Sequence, residues 1–374
     1  MRIVVFCHSL RSDWNHGNAH FLRGIVAELR DRGHDVATYE PRDGWSVTNL
    51  LADGGRAALD DIAAAFPWMD GVAHEYDLAT LDLDRALDGA DLVLVHEWSE
   101  PALVARVGQR RAAGGRFRLF FHDTHHRAAS ASAEMARFEL RHYDGVLAFG
   151  AVIRDLYLER EWAARAWTWH EAADTRVFAP RPSQERDRQL AWIGNWGDDE
   201  RTRELRDFVL APARRLRLKG TIHGVRYPRR ARWAIRRAGL RYGGWLPNHR
   251  APEVFARHRV TVHVPRRPYV QALPGIPTIR PFEALACGIP LVSAPWDDVE
   301  GLFRAGEDYL VARDRDETTA HLRAILADDE LAAALRASGL ETISARHTCA
   351  HRVDELLGIV GQLRGRETSE ALTA

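Results

Sequence analysis

The chain has 374 residues, more than one hydrophobic core usually supports, and this length predicts two domains. A hydrophobic fraction of 46% and a charged fraction of 28% are those of a globular protein and exclude a disordered or fibrous chain. The 52 basic and 52 acidic residues balance, so no overall charge attracts nucleic acid or a membrane surface.

The location of the protein is constrained by what the sequence lacks. No apolar run approaches the roughly 18 residues that a bilayer span needs, and the first residues lack the features of a signal peptide. Cys7, Cys287 and Cys349 are odd in number and far apart, which predicts reduced thiols. We therefore expect a cytoplasmic protein with at most peripheral membrane contact.

The first forty residues have the pattern of a βαβ unit. Residues 2–7 form a nearly continuous apolar run, as buried parallel strands do. After a polar loop, apolar residues at helical spacing predict a helix from about Gly17 to Gly33. Residues 35–39 are typical of a second strand. The loop between the first strand and the helix therefore lies at the carboxyl end of that strand.

Alternating strands and helices are predicted along the rest of the chain. The further strands are expected at residues 91–96, 117–121, 145–149, 190–193, 260–264, 291–294 and 309–312. This alternation predicts an α/β protein with parallel sheets covered on both faces. The polar, proline-bearing segment 171–188 is the predicted linker. We expect domains at residues 1–172 and 173–345, followed by residues 346–374 with a helix from near Thr348 and a frayed end from about Gly365.

Residues 273–293 contain the strongest candidate for a ligand site. Pro281 suits the first turn of a helix and Gly288 suits its end, which predicts a helix over residues 280–287. Arg280 beside the helix N-terminus makes an anion site suited to a diphosphate. Glu283, one turn later, is placed to accept hydrogen bonds from a sugar hydroxyl. The alternative is an ordinary connection in which Glu283 faces solvent.

Polar residues also follow two strands of the first half. His122, His125 and His126 surround Asp123 at a strand end, and His122 and His126 are one helical turn apart, as in some zinc sites. No glutamate lies between them as in H-E-x-x-H, and we assign no metal. Histidines that cap the strand end are the alternative.

Three other segments are weighed in the same way. Glu97 and Trp98 end a neighbouring strand, where they suit acceptor hydroxyls and a sugar ring or only a partly buried strand end. The motifs at residues 82–84 and 314–316 spell D-x-D, in contexts typical of helix starts and turns. Residues 226–237 are rich in arginine and suit RNA or anionic lipid, but a solvated helix face is the interpretation that we prefer.

A family resemblance arises at residues 277–290, P-T-I-R-P-F-E-A-L-A-C-G-I-P. This segment resembles the donor-site signature of GT-B glycosyltransferases, in particular their CgeB-type and family-4-like branch. Residues 173–180, 192–195, 242–247 and 346–352 resemble other segments of that fold in the same order. The resemblance implies two Rossmann-like domains facing across a cleft, with the nucleotide sugar held mainly by the second and the last helix crossing back to the first.

The resemblance also implies roles for individual residues. His125 is its first candidate for the reaction centre and His122 the second, with Asp123 between them. The residues implied for the donor are Gly194, Asn195, Gly275, Ile276, Pro277, Thr278, Ile279, Arg280 and Glu283. Those implied for the cleft and acceptor are Asn15, His16, Gly17, Glu97 and Trp98.

Two features depart from the family pattern. Many family-4 members have a second glutamate where this chain has Gly275, so the stereochemical outcome is not carried over. No lysine follows Gly194, and Arg201 or Arg203 is expected to replace the usual phosphate-binding pair.

The sequence therefore predicts a metal-independent hexosyltransferase without a cofactor. Its co-substrate would be a UDP- or GDP-linked sugar, and its acceptor a hydroxyl of a saccharide, a lipid-linked saccharide or a small molecule, with no nucleic-acid partner. A catalytically silent nucleotide-sugar-binding or regulatory protein of the same fold is the main alternative. An RNA-binding protein that uses the arginine stretch is the third.

Overall fold

A computed structural model of the chain describes residues 1–181, 185–197 and 199–373, with residues 365–373 as backbone only. Two parallel sheets make up its framework. The strands of the first sheet are β1 Arg2–Phe6, β2 Asp35–Pro41, β3 Ala73–Tyr76, β4 Leu92–His96, β5 Arg118–Asp123, β6 Gly145–Ala148 and β7 Ala166–Thr168. Those of the second are β8 Arg188–Ile193, β9 Gly220–His223, β10 Leu240–Tyr242, β11 His258–His263, β12 Leu291–Ser293 and β13 Leu310–Val311.

Helices connect the strands and cover both sheets. In the first half they are α1 Ala19–Asp31, α2 Trp45–Ala65, α3 Leu83–Ala86, α4 Pro101–Ala112, α5 Arg127–Ser130, α6 Ser132–Met135 and α7 Ala151–Glu159. In the second half they are α8 Thr202–Leu205, which continues as a π-helical turn over Arg206–Leu210, α9 Ala211–Leu216, α10 Arg229–Arg237, α11 Ala251–Arg257, α12 Arg267–Ala272, α13 Ile279–Ala286, α14 Arg315–Ala327, α15 Asp329–Arg346 and α16 Cys349–Thr373. Short 3-10 turns lie at Pro67–Met69 and Asn248–Arg250.

The strand orders are β3-β2-β1-β4-β5-β6-β7 and β10-β9-β8-β11-β12-β13, and all pairs are parallel. The central strands are almost completely buried because helices cover both faces, which explains their apolar runs. In both sheets the order reverses beside the first strand of the domain, and ligands bind beyond the carboxyl ends of strands at such points. The predicted α/β class with two Rossmann-like domains is confirmed.

Four short strands escaped the sequence analysis, namely β3, β7, β9 and β10, and β10 has only three residues. Strands β3 and β7 lie at the two edges of the first sheet and have partly exposed side chains, so they lack the apolar run of a central strand. Strand β9 has only four residues and begins with Gly220. All strands that were predicted are present, with ends shifted by one to two residues.

The last helix crosses back to the first domain, as the resemblance implied. Helix α16 packs on α1, and Gly24 makes this possible because a Cβ there would lie 2.5 Å from the Cys349 sulfur. The Trp169 indole donates to the Arg352 carbonyl at 2.8 Å. The domain limits at residues 172 and 345 stay a prediction. Residues 182–184 of the predicted linker and Ala374 of the predicted frayed end lie outside the described residues.

The three cysteines, Cys7, Cys287 and Cys349, are buried and free. Among the described residues, none of the helices is both long enough and apolar enough to span a bilayer.

Candidate functional site

The carboxyl ends of the two sheets face each other across a cavity of about 590 Å³. Its walls are the loops after β1, β4 and β5 on one side, and those after β8, β9 and β11 with the start of α13 on the other. The first domain and the crossover contribute His8, Asp13, Asn15, His16, Gly17, Asn18, Trp45, Trp98, Thr124, His125, His126, Phe149 and Glu171. The second domain contributes Trp192, Ile193, Gly194, Asn195, Glu200, Arg201, Gly224, Val225, Arg226, Trp245, Leu246, Asn248, Val262, His263, Val264, Pro265, Arg266, Tyr269, Thr278, Ile279 and Arg280.

Four arginines give the second-domain wall a positive charge: Arg201, Arg226, Arg266 and Arg280. The Arg201 guanidinium donates to the backbone oxygen of Asn195 at 2.9 Å, to its side-chain oxygen at 2.7 Å, and to the Val264 carbonyl at 3.0 Å. Burial lowers the pKa of Arg201 to about 9, and the charge of Arg266 adds to this effect. The partners of Arg201 are neutral oxygens, so an anion in the cavity would stabilise its charge.

Arg201 and Arg203 were the two candidates to bind phosphate, and the structure separates them. The Arg203 side chain is 87% exposed and lies 3.7 Å from Asp207, away from the cavity. Arg266 pairs with Glu200 at 3.0 Å. Of the two candidates, only Arg201 lies where a diphosphate in the cavity would contact it.

Helix α13 begins one residue earlier than predicted, at Ile279. Thr278 precedes it with a φ of 64°, a conformation that costs a β-branched residue energy and that clusters at functional sites. The first-turn N–H groups of a helix lack intrahelical partners, so this end of α13 attracts an anion together with Arg280. Thr278, Ile279 and Arg280 line the cavity as the resemblance implied.

Glu283 lies behind Arg280 rather than in the cavity. Its side chain is fully buried, forms an ion pair with Arg280, and approaches His20 Nδ1 to 2.7 Å. The alternative of a solvated Glu283 is therefore wrong. The contact with a sugar hydroxyl stays a prediction, but in this arrangement the carboxylate holds the Arg280 guanidinium instead.

Gly275, Ile276 and Pro277 are not among the residues that line the cavity. Ile276 packs into the core of the first domain, where a Cβ on Gly150 would overlap it. Gly275 has a φ of 89°, and a Cβ there would lie 2.5 Å from Glu300 Oε1. This segment joins the two domains, so it shapes the site indirectly.

Gly194 and Asn195 form the second-domain wall after β8. The carbonyl of Gly194 lies so close to Gly224 that a Cβ on Gly224 would overlap it. The Asn195 amide donates across the cavity to the Asn15 side chain. These two residues therefore line the cavity as implied, and one of them already links the domains.

His125 is the histidine of its loop that suits a reaction centre. Its partly buried ring lines the cavity between Trp98, at a centroid distance of 5.1 Å, and His126, at 4.0 Å. Burial lowers the pKa of His125 to about 2, with a further effect of the charges on His126 and Arg127. The imidazole is therefore neutral at physiological pH.

His122 and Asp123 are buried behind the cavity, contrary to a direct role in it. The His122 ring packs on Trp169 at 4.8 Å, and burial lowers the pKa of His122 to about 3. Asp123 accepts hydrogen bonds from the Tyr157 hydroxyl at 2.8 Å and from the His125 backbone N–H at 3.0 Å. Side chains alternate along β5, so His122 and Asp123 at its end point to opposite faces of the sheet, and helices cover both faces. Asp123 positions the backbone of His125.

Glu97 is likewise buried, with no exposed surface, and does not line the cavity. It pairs with Arg127, whose guanidinium lies 4.1 Å from the ring centre of Trp98. Burial raises the pKa of Glu97 to about 8, and the nearby Asp123 adds to the shift. Trp98 is 41% exposed and lines the cavity. Glu97 contacts the site through Arg127 and through the hydroxyl of Thr124, which donates to Glu97 at 3.5 Å and lines the cavity.

The loop after β1 reaches the opposite domain. Asn15 has a φ of 49° and accepts the hydrogen bond from Asn195. His16 is buried and its ring lies 4.9 Å from that of His8. A Cβ on Gly17 would lie 3.2 Å from the Ile279 side chain, so the glycine permits close approach of α13. All three predicted residues line the cavity.

Glu171 is a cavity residue that the sequence analysis missed. It was included in the linker because its neighbours show no apolar periodicity, and a single carboxylate there gives no signal. Arg266, in the loop after β11, and Tyr269, in the helix that follows, also line the cavity and were missed because no local pattern distinguishes them.

Several polar atoms of the cavity walls are buried without a hydrogen-bond partner among the described residues. They are Asp13 Oδ1, His16 Nε2, Asn18 Oδ1, His125 Nδ1, Arg201 Nε, Trp245 Nε1, Asn248 Nδ2 and His263 Nε2. Native proteins leave few such atoms unpaired, and clusters of them mark places where water or a ligand completes the bonding. The cavity is therefore suited to a ligand with many hydroxyl groups.

The motifs that we discounted have structural roles. Asp82 caps α3 by accepting from the Arg85 N–H, and Asp314 caps α14 by accepting from the N–H groups of Asp316 and Glu317. Helix α10, Arg229–Arg237, carries most of the arginine stretch, whereas Arg226 at the start of the stretch lines the cavity. Within the described residues, no group of three or more histidine, cysteine or acidic side chains is arranged to hold a metal ion.

Comparisons with known proteins agree with this architecture. Residues 201–358 match a family model described as glycosyl transferase-like, which covers less than half of the chain. No curated protein matches the sequence.

Solved structures match the whole chain at low sequence identity. Sucrose-phosphate synthase from Thermosynechococcus elongatus has a TM-score of 0.65 and 15% identity, over 98% of this chain and 100% of that one. An alpha-glucosyltransferase (AGT) in complex with UDP has a TM-score of 0.68 and 14% identity, over 96% and 100%. Anabaena HepE, in complex with UDP and glucose, has a TM-score of 0.66 and 12% identity, over 96% and 99%. The chain therefore has the two-domain GT-B fold of glycosyltransferases.

Proposed function

We propose that the protein is a glycosyltransferase that moves a sugar from a nucleoside diphosphate sugar to an acceptor hydroxyl. The observation that carries this proposal is the interdomain cavity, in which a positively charged wall faces unpaired buried polar atoms. A diphosphate suits the charged wall and a polyhydroxylated sugar suits the unpaired atoms. The match of residues 201–358 to a glycosyl transferase-like family supports it.

The second domain would hold the donor and stabilise the leaving group. Arg201, Arg280 and the N-terminus of α13 surround the place where a diphosphate fits. As the bond between the sugar C1 and the diphosphate oxygen breaks, negative charge grows on the diphosphate, and these groups stabilise it. Glu283 fixes the Arg280 fork, which favours bidentate phosphate binding.

The first domain would position the acceptor and the reacting sugar. The new bond forms between C1 and the acceptor oxygen, and the proton of the acceptor hydroxyl passes to the released diphosphate or to water. The lowered pKa of His125 makes its imidazole a neutral hydrogen-bonding group more than a base, suited to orienting the sugar at C1. Trp98 offers a ring face to a sugar.

UDP is the first nucleotide to test, because the structures of AGT and HepE, which share this fold, were determined in complex with UDP. GDP is the second. The same proposal includes a hexose as the transferred sugar and a reaction that needs no metal ion. It also includes an acceptor that is a saccharide, a lipid-linked saccharide or a small molecule, and membership of the CgeB-type branch.

A thermal-shift panel of UDP, GDP, ADP and TDP, with and without magnesium, tests the donor site. We expect one diphosphate to stabilise the protein without metal, by about 2.7 kcal/mol at a hundred times its dissociation constant. If none raises the melting temperature under either condition, the donor site is wrong. Binding without hydrolysis or transfer of any corresponding sugar would favour the catalytically silent alternative.

A further inference from the structure

Glu171 occupies a distinctive place, at the point where the chain crosses between the domains. Its backbone carbonyl lies 3.4 Å from Arg352 Nε of α16, which also donates to the carbonyl of His170 at 3.0 Å. The side chain lines the cavity and is only 7% exposed. The backbone is thus anchored to the crossover helix while the carboxyl reaches the site.

The carboxyl of Glu171 has one hydrogen bond and no cationic partner. Its Oε1 accepts from the Asn18 amide at 2.7 Å, and the described residues provide no second hydrogen bond to the carboxyl. Arg280, whose charge acts on Glu171, is already paired with Glu283. Asn18 Oδ1 is also unpaired, in a residue that is 8% exposed. Two neighbouring polar groups therefore have bonding capacity left.

Burial raises the pKa of Glu171 to about 8, and the charge of Glu283 adds to the rise. Near neutral pH most of these carboxyl groups are protonated, so each both donates and accepts a hydrogen bond. A sugar hydroxyl also does both, whereas a phosphate oxygen only accepts. A negatively charged carboxylate would compete with a diphosphate for the Arg280 guanidinium. A neutral Glu171 carboxyl therefore allows a diphosphate to bind there.

We propose that Glu171 and Asn18 form a hydroxyl-binding subsite that selects the transferred hexose. This inference rests on the proposed function and adds to it the residues that distinguish one donor sugar from another. The subsite would contact the sugar and leave the nucleotide to Arg201 and α13. Its loss should therefore change binding of a nucleotide sugar more than binding of the bare nucleotide.

The test measures dissociation constants of UDP, UDP-glucose, UDP-galactose and UDP-N-acetylglucosamine by calorimetry. For the best-bound UDP-hexose, Glu171→Ala should weaken binding about tenfold, the upper end of what a hydrogen bond between neutral groups contributes. UDP itself should bind within twofold of wild type. Glu171→Gln retains a donor and an acceptor and should restore the affinity to within threefold. Glu171→Asp, which withdraws the carboxyl by one methylene, should resemble Glu171→Ala.

Glu355→Ala is the matched control, because Glu355 pairs with Arg352 at 2.7 Å behind the crossover and does not line the cavity. It should bind all four ligands as wild type does. Melting temperatures establish folding, and Glu171→Asp replaces Glu171→Ala if the latter is unfolded.

Two outcomes would overturn the subsite. One is unchanged affinity of UDP-hexoses in folded Glu171→Ala and Glu171→Asp. The other is equal loss in Glu171→Ala and Glu355→Ala, which would assign the effect to the crossover. If wild type binds neither UDP nor any other diphosphate, the proposed function fails instead.

Discussion

The two walls of the cleft differ in how they handle charge. The second-domain wall keeps Arg201, Arg266 and Arg280 beside the start of α13, and Arg201 has only neutral oxygens as partners. The first-domain wall presents neutral imidazoles such as His16 and His125, whose pKa values burial lowers. A charged wall can bind an anion tightly without chemistry, while a neutral wall orients hydroxyls. We therefore expect substitutions in the charged wall to change the affinity for the nucleotide, and substitutions in the neutral wall to change turnover.

The strongest test of this division is His125→Ala. Because His125 is proposed to orient the sugar and lies across the cavity from the arginines, turnover should fall about 100-fold while UDP affinity stays within twofold. Steady-state kinetics and calorimetry on the same preparation measure both quantities. His142→Ala, at a partly exposed histidine of the same domain that does not line the cavity, is the control. A parallel loss of UDP binding would show that the division between the walls is wrong.

Arg201→Ala should weaken nucleotide binding rather than turnover, and by a smaller factor. Loss of a charge-assisted bond should weaken UDP binding by about 1.5–3 kcal/mol, roughly 10- to 150-fold. Arg203→Ala is a matched control two residues away, since its side chain is 87% exposed and outside the cavity. Calorimetric titration with UDP decides between them. Equal affinities of the two variants would mean that the diphosphate does not reach Arg201.

The smallest effect concerns stability against pH. Burial holds the pKa of His8 at about 4 and that of His122 at about 3, below the value of 6.5 for exposed histidine. The unfolded chain therefore binds more protons below pH 6.5, and the free energy of unfolding should fall as pH drops from 6.5 toward 4. Glu97 and Glu171, with pKa values raised to about 8, have the opposite effect: between about pH 4.5 and 8 they raise the free energy of unfolding as pH drops.

One variant isolates the contribution of a single histidine. His122→Gln removes one titrating ring, so the slope of unfolding free energy between pH 6 and 4.5 should decrease by up to about 1.4 kcal/mol per pH unit. Urea unfolding at several pH values measures this slope, and His142→Gln, at a partly exposed histidine of the same domain, is the control. An identical slope in both variants would contradict a buried neutral His122.

Local sequence patterns alone predicted the α/β architecture, the order of the central strands along the chain, and α13 to within one residue of its start, with Arg280 in its first turn. These features follow from local patterns: apolar runs, helical spacing, and the positions of Pro281 and Gly288. The sequence also placed His125, Trp98 and the loop at Asn15–Gly17 at strand ends, where the structure finds them lining the cavity.

Only the tertiary structure decided which of the neighbouring polar residues reach the cavity. Glu283, Glu97 and His122 lie within three residues of true cavity residues, yet packing against His20, Arg127 and Trp169 buries them. Glu171, which no local pattern distinguishes, enters the cavity because α16 anchors the crossover from behind. The physical reason is that a side chain's exposure depends on the element packed against it, and in this fold that element comes from a distant part of the chain.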